Sequence, residues 1–355
     1  MTTAATAPHT SLDPAPAELP APASVPFRFF DVRVVRTRAL GPSMVRITFG
    51  GDGLKDFVSG GRDQRFKLFL PHPHQEAPLV PVEAGQEWFP VWRAMDPARR
   101  AVMRSYTVRE QRREPEEFDV DFALHGADAS ATSGSAASDS TISGSTTSGS
   151  ATSGSAVSGS TTSGSAVSAS GCATAGGPAS RWAASARPGD RALVLGPTAP
   201  DNGGVDFRPP PGTDWMLIAA DETALPAVAG ILAWLPAGTR AKVWIEVQHA
   251  EDLQQLPTDA DAEIVWLLRD GADPGQPRSA LLLDAVRTAT LPEGTPYAWI
   301  AGEAGTVRAL RRHLVRERAF DRKAVTFTGY WRLGATDEQL VEEAVTGTGP
   351  APEDD

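Results

Sequence analysis

Cysteine is almost missing from this 355-residue chain, where Cys172 stands alone. One thiol closes no internal disulfide and rules out a site built from several cysteine ligands, so a reducing compartment is expected. Positive charge is short as well: 33 lysines and arginines face 44 aspartates and glutamates, a net charge of −11. A chain this acidic is poorly suited to general nucleic-acid binding, which runs on neutralising phosphates. Long apolar runs are lacking. The stretch Trp215–Ala220 falls far below the roughly 20 residues needed to span a bilayer. The first ten residues have neither the basic start nor the apolar stretch of a signal peptide. The expectation is a cytoplasmic protein with no membrane span, no nucleic-acid partner and, by default, a single chain. At about 150 residues per domain there is room for about two domains.

Three segments carry too few large apolar side chains to offset their ordering entropy. Residues 1–25 form an Ala/Pro-rich arm, and residues 336–355 an acidic tail with a short helix expected around Gln339–Ala344. The third, 127–176, is almost wholly Ser, Gly, Thr and Ala, with Ser-Gly-Ser starting at Ser143, Ser148, Ser153, Ser158 and Ser163. It reads as a flexible insert with an r.m.s. span of roughly 40 Å. A surface loop and a tether between domains are both open on composition.

What remains falls into two blocks. The first, 26–208 without the insert, has strand-like runs at Phe27–Arg36, Met44–Gly50, Arg65–Leu70, Arg104–Arg109, Phe118–His125 and Ala192–Leu195. Several alternate apolar and polar residues, as strands with one buried face do. Six runs with almost no helical pattern predict a small antiparallel barrel. The sixth follows the insert, so the insert is expected to interrupt one domain. In the second block, 212–335, apolar strands alternate with helical patterns. The strands are Trp215–Ala220, Lys242–Gln248, Glu263–Leu268, Tyr297–Ala301 and Thr326–Tyr330; the helices are Thr223–Leu235, Ser279–Thr288 and Glu303–Arg318. This predicts an open parallel sheet covered on both faces, with ligands at the carboxyl ends of its strands.

Candidate site residues cluster at element junctions. On the strand Arg104-Ser105-Tyr106-Thr107-Val108-Arg109, alternation puts Arg104 and Tyr106 on one face and Ser105 and Thr107 on the other. Such a strand can offer a flat ring, a guanidinium for a diphosphate and a hydroxyl, and it also suits an ordinary edge strand. His125-Gly126 precedes the insert; Gly177-Pro178-Ala179-Ser180-Arg181-Trp182 follows it and reads as a turn entering a short helix, a natural diphosphate site. Asp221-Glu222-Thr223-Ala224 and Gly302-Glu303 each join a strand to a helix, and Tyr330-Trp331 ends the last strand. The glycine fingerprint of the standard dinucleotide fold is absent from this block.

As an ordered set, these stretches resemble the siderophore-interacting protein family of flavin-dependent ferric-siderophore reductases, a ferredoxin-reductase-like group. The resemblance implies a six-stranded antiparallel Greek-key FAD-binding barrel followed by an NAD(P)H-binding α/β domain. It implies Arg104, Ser105, Tyr106 and Thr107 against the flavin and its phosphates, with His125 and Gly126 beside them. Gly177, Pro178, Ala179, Ser180 and Trp182 would build the diphosphate site. Asp221, Glu222, Thr223, Ala224, Gly302 and Glu303 would line the nicotinamide side, and Tyr330 and Trp331 would lie near the flavin. The implied cofactor is FAD, the donor NADPH or NADH, and the substrate a ferric siderophore. No side chain is needed as acid or base and no protein metal site is required, because electrons pass through the flavin. A protein acceptor such as a ferredoxin, or a non-enzymatic module binding iron chelates, are the rival readings. The dense basic stretch containing Arg308, Arg311, Arg312 and Lys323 is a candidate dock for an anionic chelate. Arg240, Lys242 and Arg269 are equal candidates for a coenzyme 2′-phosphate.

Overall fold

The computed structural model describes residues 26–124, 176–270, 277, 279–335 and 337–346. The N-terminal arm, most of the insert, His125 and Gly126 lie outside the described residues.

Seven strands form one antiparallel sheet: β1 (Phe27–Gly41), β2 (Met44–Gly50), β3 (Arg65–Leu70), β4 (Val102–Thr107), β5 (Glu110–Arg113), β6 (Glu116–Ala123) and β7 (Arg191–Pro197), in the order β4-β3-β7-β1-β2-β6-β5. Strand β1 is long because it serves two neighbours, pairing β7 through its first half and β2 through its second. Its inward residues Phe30, Val32 and Val34 join Phe49, Leu68, Phe118, Val120 and Val194 in one buried cluster. The sheet curls into a half-barrel, and helix α2 (Pro178–Ser185) packs against β2, β4 and β6. On the outer face, helix α1 (Trp88–Ala94) contributes Trp92 to a second cluster with Phe69, Met103 and Leu193.

Two elements depart from the sequence expectation. Strand β5, the seventh, pairs only β6. Its residues Glu-Gln-Arg-Arg carry no apolar alternation, since an edge strand needs no buried face. Helix α1 contains Pro90 and spans 7 residues, too few to show a helical period.

The second sheet is parallel, with five strands: β8 (Trp215–Asp221), β9 (Arg240–Val247), β10 (Asp261–Leu268), β11 (Pro296–Glu303) and β12 (Val325–Trp331), in the order β10-β9-β8-β11-β12. Strand β8 is buried along its whole length, as a central parallel strand must be. Helix α3 (Leu225–Trp234) covers one face, and α4 (Ala280–Thr288) and α5 (Ala304–Arg312) the other. The helix expected over Glu303–Arg318 ends at Arg312 and continues as one wider turn over His313–Glu317, which still buries Val307, Leu310 and Leu314. Helix α6 (Asp337–Thr346) closes the described chain and is longer than the helix expected there.

Two buried carboxylates tie the sheets together. Asp63, 1% exposed, accepts Trp299 Nε1 at 3.0 Å and the amides of Asp206 at 3.2 Å and Phe207 at 3.1 Å. Burial raises its pKa above the usual carboxylate value. Asp252, fully buried, accepts the Ser43 amide at 3.0 Å and the Ser43 hydroxyl. That serine sits in the β1–β2 turn, 209 residues away in sequence.

Candidate functional site

The strand order reverses direction at β8, where β9 lies on one side and β11 on the other, each reached by a separate crossover. Ligands of open α/β sheets bind outside the carboxyl ends at such a point. Asp221 ends β8 there. It is 5% exposed, and its carboxylate accepts Thr223 N at 2.9 Å, Thr223 Oγ1 at 2.5 Å, Glu303 N at 2.8 Å and Trp331 Nε1 at 2.9 Å. One carboxylate thus holds the ends of β8, β11 and β12 in register. All of these donors are neutral. Burial, with Glu222 as a neighbouring like charge, pushes the Asp221 pKa up to about 6.

Gly302 makes this arrangement possible. Its φ is +143°, and a Cβ there would stand 2.6 Å from the Asp221 carboxylate. Glu303 caps helix α5 by accepting Thr306 N at 2.8 Å, and it also accepts Leu333 N at 3.2 Å. Beside them, Arg269 donates to Glu222 at 2.5 Å, Glu246 at 2.6 Å and Gln248 at 2.9 Å. Burial works against the arginine charge, but the two glutamates outweigh it and hold its pKa above the ordinary value.

The antiparallel half contributes strand β4. Arg104 and Tyr106 are half-buried, Ser105 is exposed and Thr107 is buried. The Tyr106 ring packs 4.3 Å from Phe122, and Trp182 of α2 lies 6.2 Å from Phe122 and 6.3 Å from Phe49. The Ser180 hydroxyl donates to Ala123 O at 3.0 Å, which fastens α2 to β6 and leaves the helix start without a side-chain cap. Among the described residues, nothing lies within 4 Å of the point where a Cβ would stand on Gly177. Tyr330, at the end of β12, lies beside the Thr107 side chain of β4, and burial raises its pKa. The carboxyl edge of the parallel sheet therefore abuts the strand that carries Arg104 and Tyr106.

The structure brings most of the expected residues together, with different exposures. Glu222 and Ala224 are buried, at 2% and 0%, so they act through the edge they support. The basic stretch sits elsewhere. Arg311 and Arg312 lie at the end of α5, roughly 12 Å along the helix from Glu303, and Arg311 stacks on Phe327 at 4.5 Å. Lys323 lies in the short helical turn before β12, at the opposite end of that strand from Tyr330. Exposed Arg308 is on the same helix as Arg311. Asp63 and Glu246 were not singled out from sequence. The one signal for Glu246 was a charge inside the apolar run of β9.

Two family profiles match this chain: the siderophore-interacting FAD-binding domain over residues 33–143 and the siderophore-interacting protein over residues 213–334. The chain belongs to the siderophore-interacting protein family. Among relatives, it is 26% identical to the ferric vibriobactin reductase of Vibrio cholerae, covering 87% of this chain and 91% of that one. It is 25% identical to the NADPH-dependent ferric-chelate reductase of Escherichia coli, over 86% and 93% of the two chains. A siderophore utilization protein from T. fusca superposes with a TM-score of 0.63 at 29% identity, over 88% of this chain and 95% of that one. Among the described residues, no helix is long and apolar enough to cross a membrane.

Proposed function

We propose that this family member is an FAD-dependent NAD(P)H:ferric-siderophore reductase that releases iron as Fe(II). The observation that carries this reading is the meeting of the two sheets, tied by the Trp299–Asp63 hydrogen bond at 3.0 Å, with Tyr330 of β12 beside Thr107 of β4.

The residues fit FAD. Among the described residues, no side chain caps the first turn of α2 and none fills the space beside Gly177. Free amides at a helix start suit a diphosphate, with the Arg104 guanidinium as a complementary charge. Tyr106 and Trp182 flank this place with rings held by Phe122. A bound flavin accepts two electrons together and releases them singly, so one hydride equivalent serves two ferric ions. The chain's own work is to bind and orient. Arg104 and the α2 amides hold phosphates, Tyr106 and Tyr330 bracket the redox end, and Asp221 keeps Thr223, Glu303 and Trp331 in place at the donor's edge. No step calls for a side-chain acid or base.

We read the six longer antiparallel strands as a Greek-key barrel, with β5 as an added edge. Residues 26–208 and 212–335 are the two domains of this reading, and the cytoplasm, which supplies NAD(P)H, is its compartment. The anionic-chelate dock at Arg308, Arg311, Arg312 and Lys323 remains part of the proposal, tested by charge reversal at Arg311 and Arg312. The central test is spectral. Purified protein is expected to show flavin absorbance, to lose it anaerobically on adding NADH or NADPH, and to regain it on adding a ferric chelate while a ferrous indicator colours. A colourless protein that fails to take up FAD overturns the reading.

A further inference from the structure

The coenzyme's 2′-phosphate, where one exists, must lie beyond the carboxyl ends of β8 and β9 if this edge binds the donor. In sheets of this kind, an acidic residue at that place accepts the ribose hydroxyl of NADH, whereas an arginine accommodates the phosphate of NADPH. Three cations were open candidates from sequence, and the structure decides each one.

Arg240 pairs with Trp215 at the first position of β9 and donates to Glu293 O. It stands seven residues before Val247, roughly 23 Å from the carboxyl edge. Lys242 is on the same wrong half of the strand and is held by Glu263 at 2.5 Å. Arg269 is at the right edge, but its three guanidinium nitrogens are taken by Gln248, Glu246 and Glu222. It is 12% exposed in its side chain. Among the described residues, no other arginine or lysine lies on β8, β9 or β10 near their carboxyl ends or in the turns directly after them. The same edge carries Glu222, Glu246, exposed Glu251 and Asp270, the last bound to His249 at 2.5 Å. A phosphate monoester brings close to two further negative charges. At Arg269 it would meet a cation whose charge Glu222 and Glu246 already offset.

Resting on the reductase reading above, we infer that this protein discriminates against the 2′-phosphate and takes NADH in preference to NADPH, with Glu222 and Glu246 as the determinants because they consume Arg269. Glu246 acts through Arg269 and is a positioning residue. The discrimination falls on binding, so it appears in KM and leaves kcat little changed.

The test compares steady-state kcat/KM for the two coenzymes with ferric citrate as acceptor, using the FAD-loaded protein. NADH is expected to exceed NADPH by at least tenfold, through KM. In Glu246→Gln, which releases Arg269 from one carboxylate, the ratio is expected to narrow at least threefold through a lower KM for NADPH. Equal use or preference for NADPH in the wild type overturns the inference. So does an unmoved ratio in a Glu246→Gln protein that keeps wild-type flavin content and melting temperature. Calorimetric titration of the wild type with ADP-ribose and with its 2′-phosphorylated form gives a readout free of turnover, and the unphosphorylated ligand is expected to bind at least tenfold tighter. If neither coenzyme reduces the flavin, the reductase reading fails. The two titrations still decide the coenzyme inference in that event, with equal binding or tighter binding of the phosphorylated form refuting it.

Discussion

Strand β6 and the end of strand β8 both bury carboxylates, and they do so by opposite means. On β6, Glu117 meets Arg36 at 2.8 Å, Asp119 meets Arg112 at 2.7 Å, and Asp121 meets Arg46 at 2.6 Å. Each of these three buried carboxylates has a guanidinium. For Asp119, burial works against ionisation, but Arg112 and Thr48 outweigh it and hold the pKa below the usual value. Among the described residues, the donors to Asp221 are amides, a hydroxyl and an indole N–H, and its pKa rises to about 6. Charge pairing holds the buried β6 carboxylates within the antiparallel sheet. A carboxylate held by neutral donors keeps the ends of β8, β11 and β12 in register.

The widest gap between the two regions should open on Asp221→Ala. The variant orphans the Trp331 indole and the Glu303 amide and is expected to lose about 4 kcal/mol in urea unfolding. Asp119→Ala removes a partner that Arg112 can replace with Glu117, 3.4 Å away, and should lose less. An equal loss in both variants would erase the distinction.

The pH dependences should have opposite signs. Asp221, with a raised pKa, binds its proton more tightly when folded. Its stability contribution is full below about pH 4 and lost as pH rises through about 6. The wild type minus Asp221→Asn difference in unfolding free energy should therefore fall by about 2 kcal/mol between pH 4 and pH 7. Asp119, with a depressed pKa, contributes stability above its unfolded value and loses it as pH falls through the lower folded one. The wild type minus Asp119→Asn difference should then fall only on acidification below about pH 4. Parallel curves for the two pairs would contradict the contrast.

A finer probe is Gly302→Ala. It forces a Cβ against the Asp221 carboxylate at a φ that L-residues rarely adopt. A loss of about 2 kcal/mol in thermal unfolding is expected, with partial relief in the Asp221→Asn background because a neutral amide can turn away. Strict additivity of the two substitutions would show that Gly302 does not act on that carboxylate.

Much of this was legible in the residues. The alternation of Phe118, Val120 and Phe122 announced a strand with one buried face, and all three are fully buried. The apolar run at Trp215 announced a central parallel strand, and the junction after it announced the ligand edge. Boundaries slipped where the pattern is weak: β4 runs Val102–Thr107 against the expected Arg104–Arg109 because Val108 remains in the core after the ladder ends. The basic stretch was legible as a run of charges, but its distance from the Glu303 edge was not, because that is set by how α5 and β12 pack.

The order of amino acids determined where strands and helices form, because burial periodicity is a local property. It also marked the strand-end junctions as candidate sites, since glycines, acids and rings there are visible in the chain itself. Tertiary structure alone decided what each charge does. The partners of Asp63, Asp221 and Asp252 are 236, 110 and 209 residues away, at Trp299, Trp331 and Ser43. A carboxylate's charge state, and an arginine's availability to a ligand, depend on neighbours within a few ångströms in space. Only folding chooses those neighbours.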